Sequence, residues 1–214
     1  MGNRPYRATR RAASAQATRR TILDAALTLF EENGYQGTTL TEIAAHAGVS
    51  LNAIYSGIGG KPHLLTALIT EVAEDATSQW HLSELDQAAT GRQALKAVAS
   101  RIRNVLERNE WMIGQLYDNA SADKLIAEAL AGGEADYRHR LGALVDRLDE
   151  LGALKKTVSL QQARDIIWFY FGFPPWRELR AAGWDWPQAE HWLVEQAMHA
   201  LVKDSLPRHE IDEP

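Results

Sequence analysis

The stretch from Gly34 to Ser50 leaves this chain fewer choices than any other part of it. Thr39-Leu40-Thr41-Glu42 has the form of a capping box. The threonine hydroxyl accepts from the amide three residues on and the glutamate returns the bond, so a helix starts at Thr39. Leu40, Ile43, Ala44 and Ala47 then share one face, with alanines small enough to let another helix approach closely. Gly48 supplies a tight turn, Val49 an apolar plug beneath it, and Ser50 a cap for a helix running through Ile54 and Tyr55. Upstream, Ile22, Ala25, Ala26, Leu29 and Phe30 recur at the spacing of one helical face, and Gly34 closes that helix. A helix, a three-residue turn and a helix make a helix-turn-helix.

Charge says what such a head is for. The net charge of -5 would discourage a polyanionic partner if it were spread evenly, but it is not. The first 20 residues carry six arginines (Arg4, Arg7, Arg10, Arg11, Arg19 and Arg20) and no acid. Residues 1–65 sum to +3, and the remainder to -8. A basic front on an acidic body suits a chain that meets phosphates at one end only. Arg4 to Arg11 read either as a solvated arm or as one that reaches an adjacent minor groove.

Gly34-Tyr35-Gln36-Gly37-Thr38-Thr39-Leu40-Thr41-Glu42-Ile43-Ala44-Ala45-His46-Ala47-Gly48-Val49-Ser50 resembles the DNA-binding signature of the TetR family of bacterial transcriptional regulators. The likeness continues through Leu51-Asn52-Ala53-Ile54-Tyr55 to Lys61 and Leu64-Leu65, covering about 15 to 65 by motif and the whole chain by length and helical pattern. It implies an all-α protein in three parts: a basic, flexible arm over 1–15, a helix-turn-helix DNA-binding domain over 16–62, and a helical effector-binding and dimerisation domain over 63–214. It also implies a double-stranded DNA operator as partner, with Thr38, Thr39, Tyr55 and Lys61 on phosphates. Ser50 to Ser56 would then present Leu51, Asn52, Ala53 and Ser56 to the major groove. Thr39 and Ser50 also read as caps, and Tyr55 as a packing residue. The chain departs from the family pattern at Asn52-Ala53, Gly57-Ile58 and Pro62. Asn52 can pair with an adenine edge and Ala53 can touch a thymine methyl, so the departures bear on which bases are read.

Beyond the head, Pro62 opens a fourth helix with Leu65, Leu68, Ile69, Val72, Ala73 and Ala76 on one stripe. Glycine, proline, serine and asparagine signals divide the rest into helices at about 91–109, 110–120, 123–151, 159–173 and 187–206. Gly132-Gly133 is the expected place for a break or bend, Pro174-Pro175 a stop, and the tail from Pro207 a frayed end. All seven tryptophans (Trp80, Trp111, Trp168, Trp176, Trp184, Trp186 and Trp192) lie in this part. They serve as core and dimer interface, or line a pocket for a small apolar or aromatic effector, for which Trp111, Gln115, Tyr137 and Trp168 are the candidates. The resemblance implies a homodimer paired through the helices from Ser159 and Pro187. On the latter, Ala189, Trp192, Leu193, Gln196, Ala197, Ala200 and Leu201 form a stripe that reads as dimer face or as core.

Catalytic signatures are missing. There is no cysteine, so thiolate metal sites and cysteine nucleophiles are excluded and a reducing compartment is expected. The seven histidines (His46, His63, His81, His139, His191, His199 and His209) include no pair at four-residue helical spacing. No apolar run reaches the roughly 18 residues of a membrane helix. The expectation is a cytoplasmic regulator with no catalytic site, metal or cofactor, most simply a dimeric repressor released by an effector. Its rivals are a constitutive regulator or activator without an inducer, and a helical enzyme or scaffold whose helix-turn-helix meets protein.

Overall fold

The computed structural model describes residues 4–78 and 83–203, with side chains over 13–74 and 84–203. In chain order the helices are α1 (Arg4–Gly37), α2 (Leu40–Ala47), α3 (Leu51–Gly57), α4 (Lys61–Ser78), α5 (Ser83–Asp86), α6 (Gly91–Asn119), α7 (Lys124–Glu150), α8 (Leu160–Phe171), α9 (Phe173–Ala181) and α10 (Trp186–Leu201). Among the described residues there is no strand, only an isolated antiparallel bridge between Leu154 and Val202. The chain is all-α, as its sequence pattern requires. It divides into two compact units, Met1–Gln79 with Asn109–Gly133, and Trp80–Arg108 with Glu134–Pro214.

The first unit is built on α1. Ile22, Leu23, Ala26 and Phe30 are buried against Ile43 of α2, Ile54 of α3, and Leu64 and Leu65 of α4, and Met112, Leu116 and Ile126 complete the same core. Gly34 interrupts α1 with φ 75 and ψ 159, a conformation glycine tolerates best, and so turns the chain toward α2. The backbone is helical from Arg4 onward, where sequence reasoning expects an arm. The side chains of Arg4, Arg7, Arg10 and Arg11 lie outside the described residues.

The second unit packs α8 and α9 against α10 around Ala163, Ile167, Phe171, Trp176, Leu193 and Ala197, all buried. Its α6 segment joins α10 through charge: Ser100 Oγ donates to Glu190 Oε1 at 2.6 Å, Arg103 pairs with Glu190 at 3.1 Å, and Arg92 meets both oxygens of Glu195.

Four boundaries differ from the sequence reading. Helix α6 is continuous where two helices were expected at 109 and 110, because Asn109 is a weak breaker and the buried stripe of Leu95, Val98, Ile102, Leu106, Met112 and Leu116 runs straight through. Helix α7 passes unbroken through Gly132-Gly133. Two helical glycines cost about 1 kcal/mol each, whereas each fully buried Ile or Leu to either side, such as Ile126 and Leu144, returns about 1.5 to 3. Pro174-Pro175 ends α8 but also occupies the first turn of α9, where a missing amide costs nothing. Helix α10 stops at Leu201 because Val202 turns extended to bridge Leu154. Trp80, His81, His209 and the tail from Pro207 lie outside the described residues. Among those described, no helix is long and apolar enough to cross a membrane.

Candidate nucleic-acid interface

The head's two short helices are set by local chemistry. Thr39 Oγ1 accepts from Glu42 N at 3.2 Å, and Glu42 Oε2 accepts from Thr39 N at 2.8 Å, closing the capping box at the start of α2. These bonds hold the Glu42 carboxyl below the usual glutamate range. Gly48 ends α2 in the left-handed region at φ 65, and its amide returns to Ala44 and Ala45. Ser50 Oγ then accepts from Ala53 N at 3.1 Å and starts α3.

One face of α3 is anchored and the other is open. Ile54 is fully buried, while Leu51 is 38% and Tyr55 56% exposed, unusual values for large apolar side chains on a packed helix. Asn52 and Ser56 are also exposed, and Ala53 is half-buried. Ser56 Oγ reaches only the Ala53 carbonyl, at 3.4 Å. The outward edge of α3 thus carries an amide, two hydroxyls, a methyl group and a leucine, the mixture that reads base edges and backbone oxygens in a groove.

Two residues expected on phosphates are turned inward instead. Thr38 is 1% exposed, and its hydroxyl lies within hydrogen-bond reach of the carbonyls of Leu29 at 3.0 Å and Gly34 at 2.9 Å, which share its one proton. Lys61 Nζ lies 2.8 Å from Tyr35 O, 3.0 Å from Thr38 O and 3.4 Å from Gln36 O, and 4.6 Å from the centre of the Tyr35 ring. Burial holds its pKa below the ordinary lysine value. Tyr35 beneath it is pushed up to about 12 by desolvation and by the nearby Asp123 carboxylate. Thr39 remains exposed, with its hydroxyl engaged by Glu42 at 2.8 Å.

An open groove beside α3, which sequence reasoning missed, is lined by Ser14, Thr18 and Arg19 of α1 and by Ala53, Ser56 and Gly57 of α3. The signal that was available is Arg19 on the exposed side of α1, in a run without acids. Hydroxyls and an arginine along a groove that borders the exposed edge of α3 suit a phosphate backbone.

The four effector candidates fall into two pairs. Trp111 is half-buried against the head core, with its ring centre 6.4 Å from that of Phe30, and Gln115 gives its carbonyl to Asn119 Nδ2 at 2.8 Å. In the second unit, Tyr137 and Trp168 meet edge to face at 5.8 Å, the Arg138 guanidinium lies 4.1 Å over Trp168, and Tyr137 donates its hydroxyl to Phe171 O at 2.7 Å. The α10 stripe also divides. Ala189, Leu193, Ala197 and Leu201 are buried within the unit, whereas Trp192 is 39% exposed; Phe169 of α8 is 66% exposed. Among the described residues no group of three or more histidine or acidic side chains is placed to hold a metal ion.

Residues 22–68 match the sequence profile of the bacterial regulatory proteins, tetR family. The HTH-type transcriptional regulator SrpR of Pseudomonas putida is 40% identical over 75 residues, which are 35% of this chain and 32% of SrpR. The chain thus spans about a third of that relative's length. The fatty acid metabolism regulator protein of Bacillus subtilis is 26% identical over 151 residues, 68% of this chain and 75% of that protein. In fold, the chain is similar to SmeT, solved as a complex with triclosan, at a TM-score of 0.69 and 23% identity over 92% of this chain and 98% of that one. It is also similar to the regulator FadR of Bacillus subtilis in complex with stearoyl-CoA, at 0.62 and 19% over 83% and 96%.

Proposed function

We propose that the chain is a member of the tetR family of bacterial regulatory proteins, whose profile residues 22–68 match, and that it is a sequence-specific DNA-binding transcriptional regulator, working as a homodimer and as a repressor that a small apolar or aromatic effector releases. The observation that carries the reading is the outward edge of α3, polar and exposed on a helix whose other side is locked by a fully buried Ile54. Asn52 and Ala53 read bases, assisted by Leu51 and Ser56, while Tyr55, Ser50, Thr39 and Arg19 line the backbone. Two such heads, paired through α8 and α10 by Phe169 and Trp192, meet successive major-groove half-sites. An effector acts by favouring an arrangement in which the two α3 helices no longer match that spacing, and one that bound both arrangements equally would do nothing.

Fluorescence anisotropy with DNA from upstream of the chain's own gene tests this. Affinity is expected to fall steeply with salt, with a slope of about 0.9 per neutralised phosphate. Asn52→Ala is expected to cost about 1 to 3 kcal/mol at one or two base positions and nothing in thermal stability. Salt-independent binding, or uniform weakening by Asn52→Ala, would remove base reading by α3.

A constitutive regulator is the second reading. It is favoured by the use of Trp111 in the head core and by the Tyr137 hydroxyl already bonded to Phe171. Tryptophan fluorescence separates the two, with triclosan and stearoyl-CoA as first probes. An effector-released repressor changes emission and loses DNA together, whereas a constitutive one does neither.

A further inference from the structure

Thr38 and Asn119 are the two buried polar side chains among the described residues, and both belong to one network at the junction between α1 and α2. From one side, Lys61 directs its ammonium at the carbonyls of Tyr35, Gln36 and Thr38. An ammonium has three N–H donors, and three oxygens are there to take them. These carbonyls lie past the Gly34 break in α1 and before α2 begins, where the chain leaves acceptors without helical partners. Lys61 opens α4, an unfavourable end of its own helix for a cation, and no acid in that first turn offsets it. The position makes sense through the junction carbonyls. From the other side, Gln36 Nε2 donates to Asn119 Oδ1, and Asn119 Nδ2 donates to Gln115 O at 2.8 Å. Thr38 fills the middle, and the next residue, Thr39, is the cap that starts α2.

We infer that Lys61 and Asn119 are positioning residues for operator binding: they clasp the Tyr35–Thr38 junction from two sides and fix where α2 and α3 begin, and the Lys61 ammonium is committed inside the protein and does not meet a phosphate. This rests on the DNA-binding reading above. A polar network anchored on the buried Thr38 and Asn119 specifies one geometry where apolar packing would tolerate several. Operator affinity then depends on both residues without either touching DNA.

Acetylation of the full chain by acetic anhydride, read by mass spectrometry, tests the proposal on the native protein. Lys61 is expected to react at least about tenfold more slowly than the exposed Lys124 and Lys156 before any DNA is added. A duplex selected by the protein from random sequence should leave that rate unchanged. Free reactivity that disappears only with the duplex would make Lys61 a phosphate contact and overturn the inference. Lys61→Gln and Asn119→Ala should each weaken operator binding about tenfold or more, with the salt slope unchanged and amide exchange faster over residues 38–43. A slope reduced by about 0.9 in Lys61→Gln, or full affinity in both variants, would equally overturn it. If either variant fails to fold, the footprint of the native protein decides. If the native protein binds no duplex, the DNA reading fails, while slow acetylation of the free chain would still establish the internal lysine.

Discussion

The two compact units reach stability by different means. The first is a small core of aliphatic side chains around Phe30, held in register by caps, a left-handed glycine and a satisfied polar junction. The second relies on bulk: Trp176, Trp186, Phe171 and Phe173 are buried, the rings of Trp176 and Trp186 lie 6.1 Å apart, and ion pairs join α6 to α10. In the head, polar groups are turned to fixed partners so that one short helix stands at a defined angle. In the second unit, large rings fill space and two of them, Phe169 and Trp192, remain at the surface. Precision of orientation and breadth of apolar surface are separate physical tasks, and this chain assigns them to separate units.

The largest expected effect comes from emptying each core in turn. Phe30→Ala and Phe171→Ala should each cost about 3 to 5 kcal/mol in chemical denaturation. Only the first should also loosen amide exchange over α2 and α3, and equal loosening by both would break the distinction. Replacing the exposed rings comes next. Phe169→Glu together with Trp192→Glu should weaken self-association by about 2 kcal/mol or more in sedimentation, with little change in protomer melting. A loss of protomer stability instead would make these rings core. Removing the cap in Ser50→Ala should cost about 1 kcal/mol, read as fraying of α3 by amide exchange, with α8 and α10 unaffected.

The gentlest probe has no effect at neutral pH. Tyr35 is neutral and buried, and its pKa of about 12 exceeds the ordinary value of 10.0. Between those values the unfolded chain gives up a proton that the native head retains, so stability is intact below pH about 10 and declines as pH rises toward 12. An alkaline denaturation series on the native protein and on Tyr35→Phe, which should lack this decline, checks the sign.

Legibility in the sequence followed the range of the interactions. The caps at Thr39 and Ser50 join groups three residues apart, so the motif contains both partners and the structure repeats it. The α3 face was largely readable, since burial of Ile54 turns Asn52 and Ser56 outward and Tyr55 to the flank by helical geometry, whereas Leu51, on the Ile54 side, is 38% exposed because it sits at the first residue of the helix. Helix breaks beyond α4 were less so. Gly132-Gly133 and Asn109 carry local preferences that the buried stripes on either side override. Aromatic residues gave the weakest signal, because a tryptophan suits a core, an interface or a pocket and only its neighbours tell which.

By itself the sequence determined the helical architecture, the helix-turn-helix and the residues its third helix presents, because periodicity and capping act over a few residues. Tertiary structure alone decided where the Lys61 ammonium lies. Its acceptors lie 26 and 23 residues upstream, at Tyr35 and Thr38, and come within reach only when α4 packs against α1. It likewise decided that Trp111 belongs with Phe30, and that the α10 stripe divides into a buried row and an exposed ring. Side-chain burial depends on which surfaces meet, and no spacing along the chain encodes that.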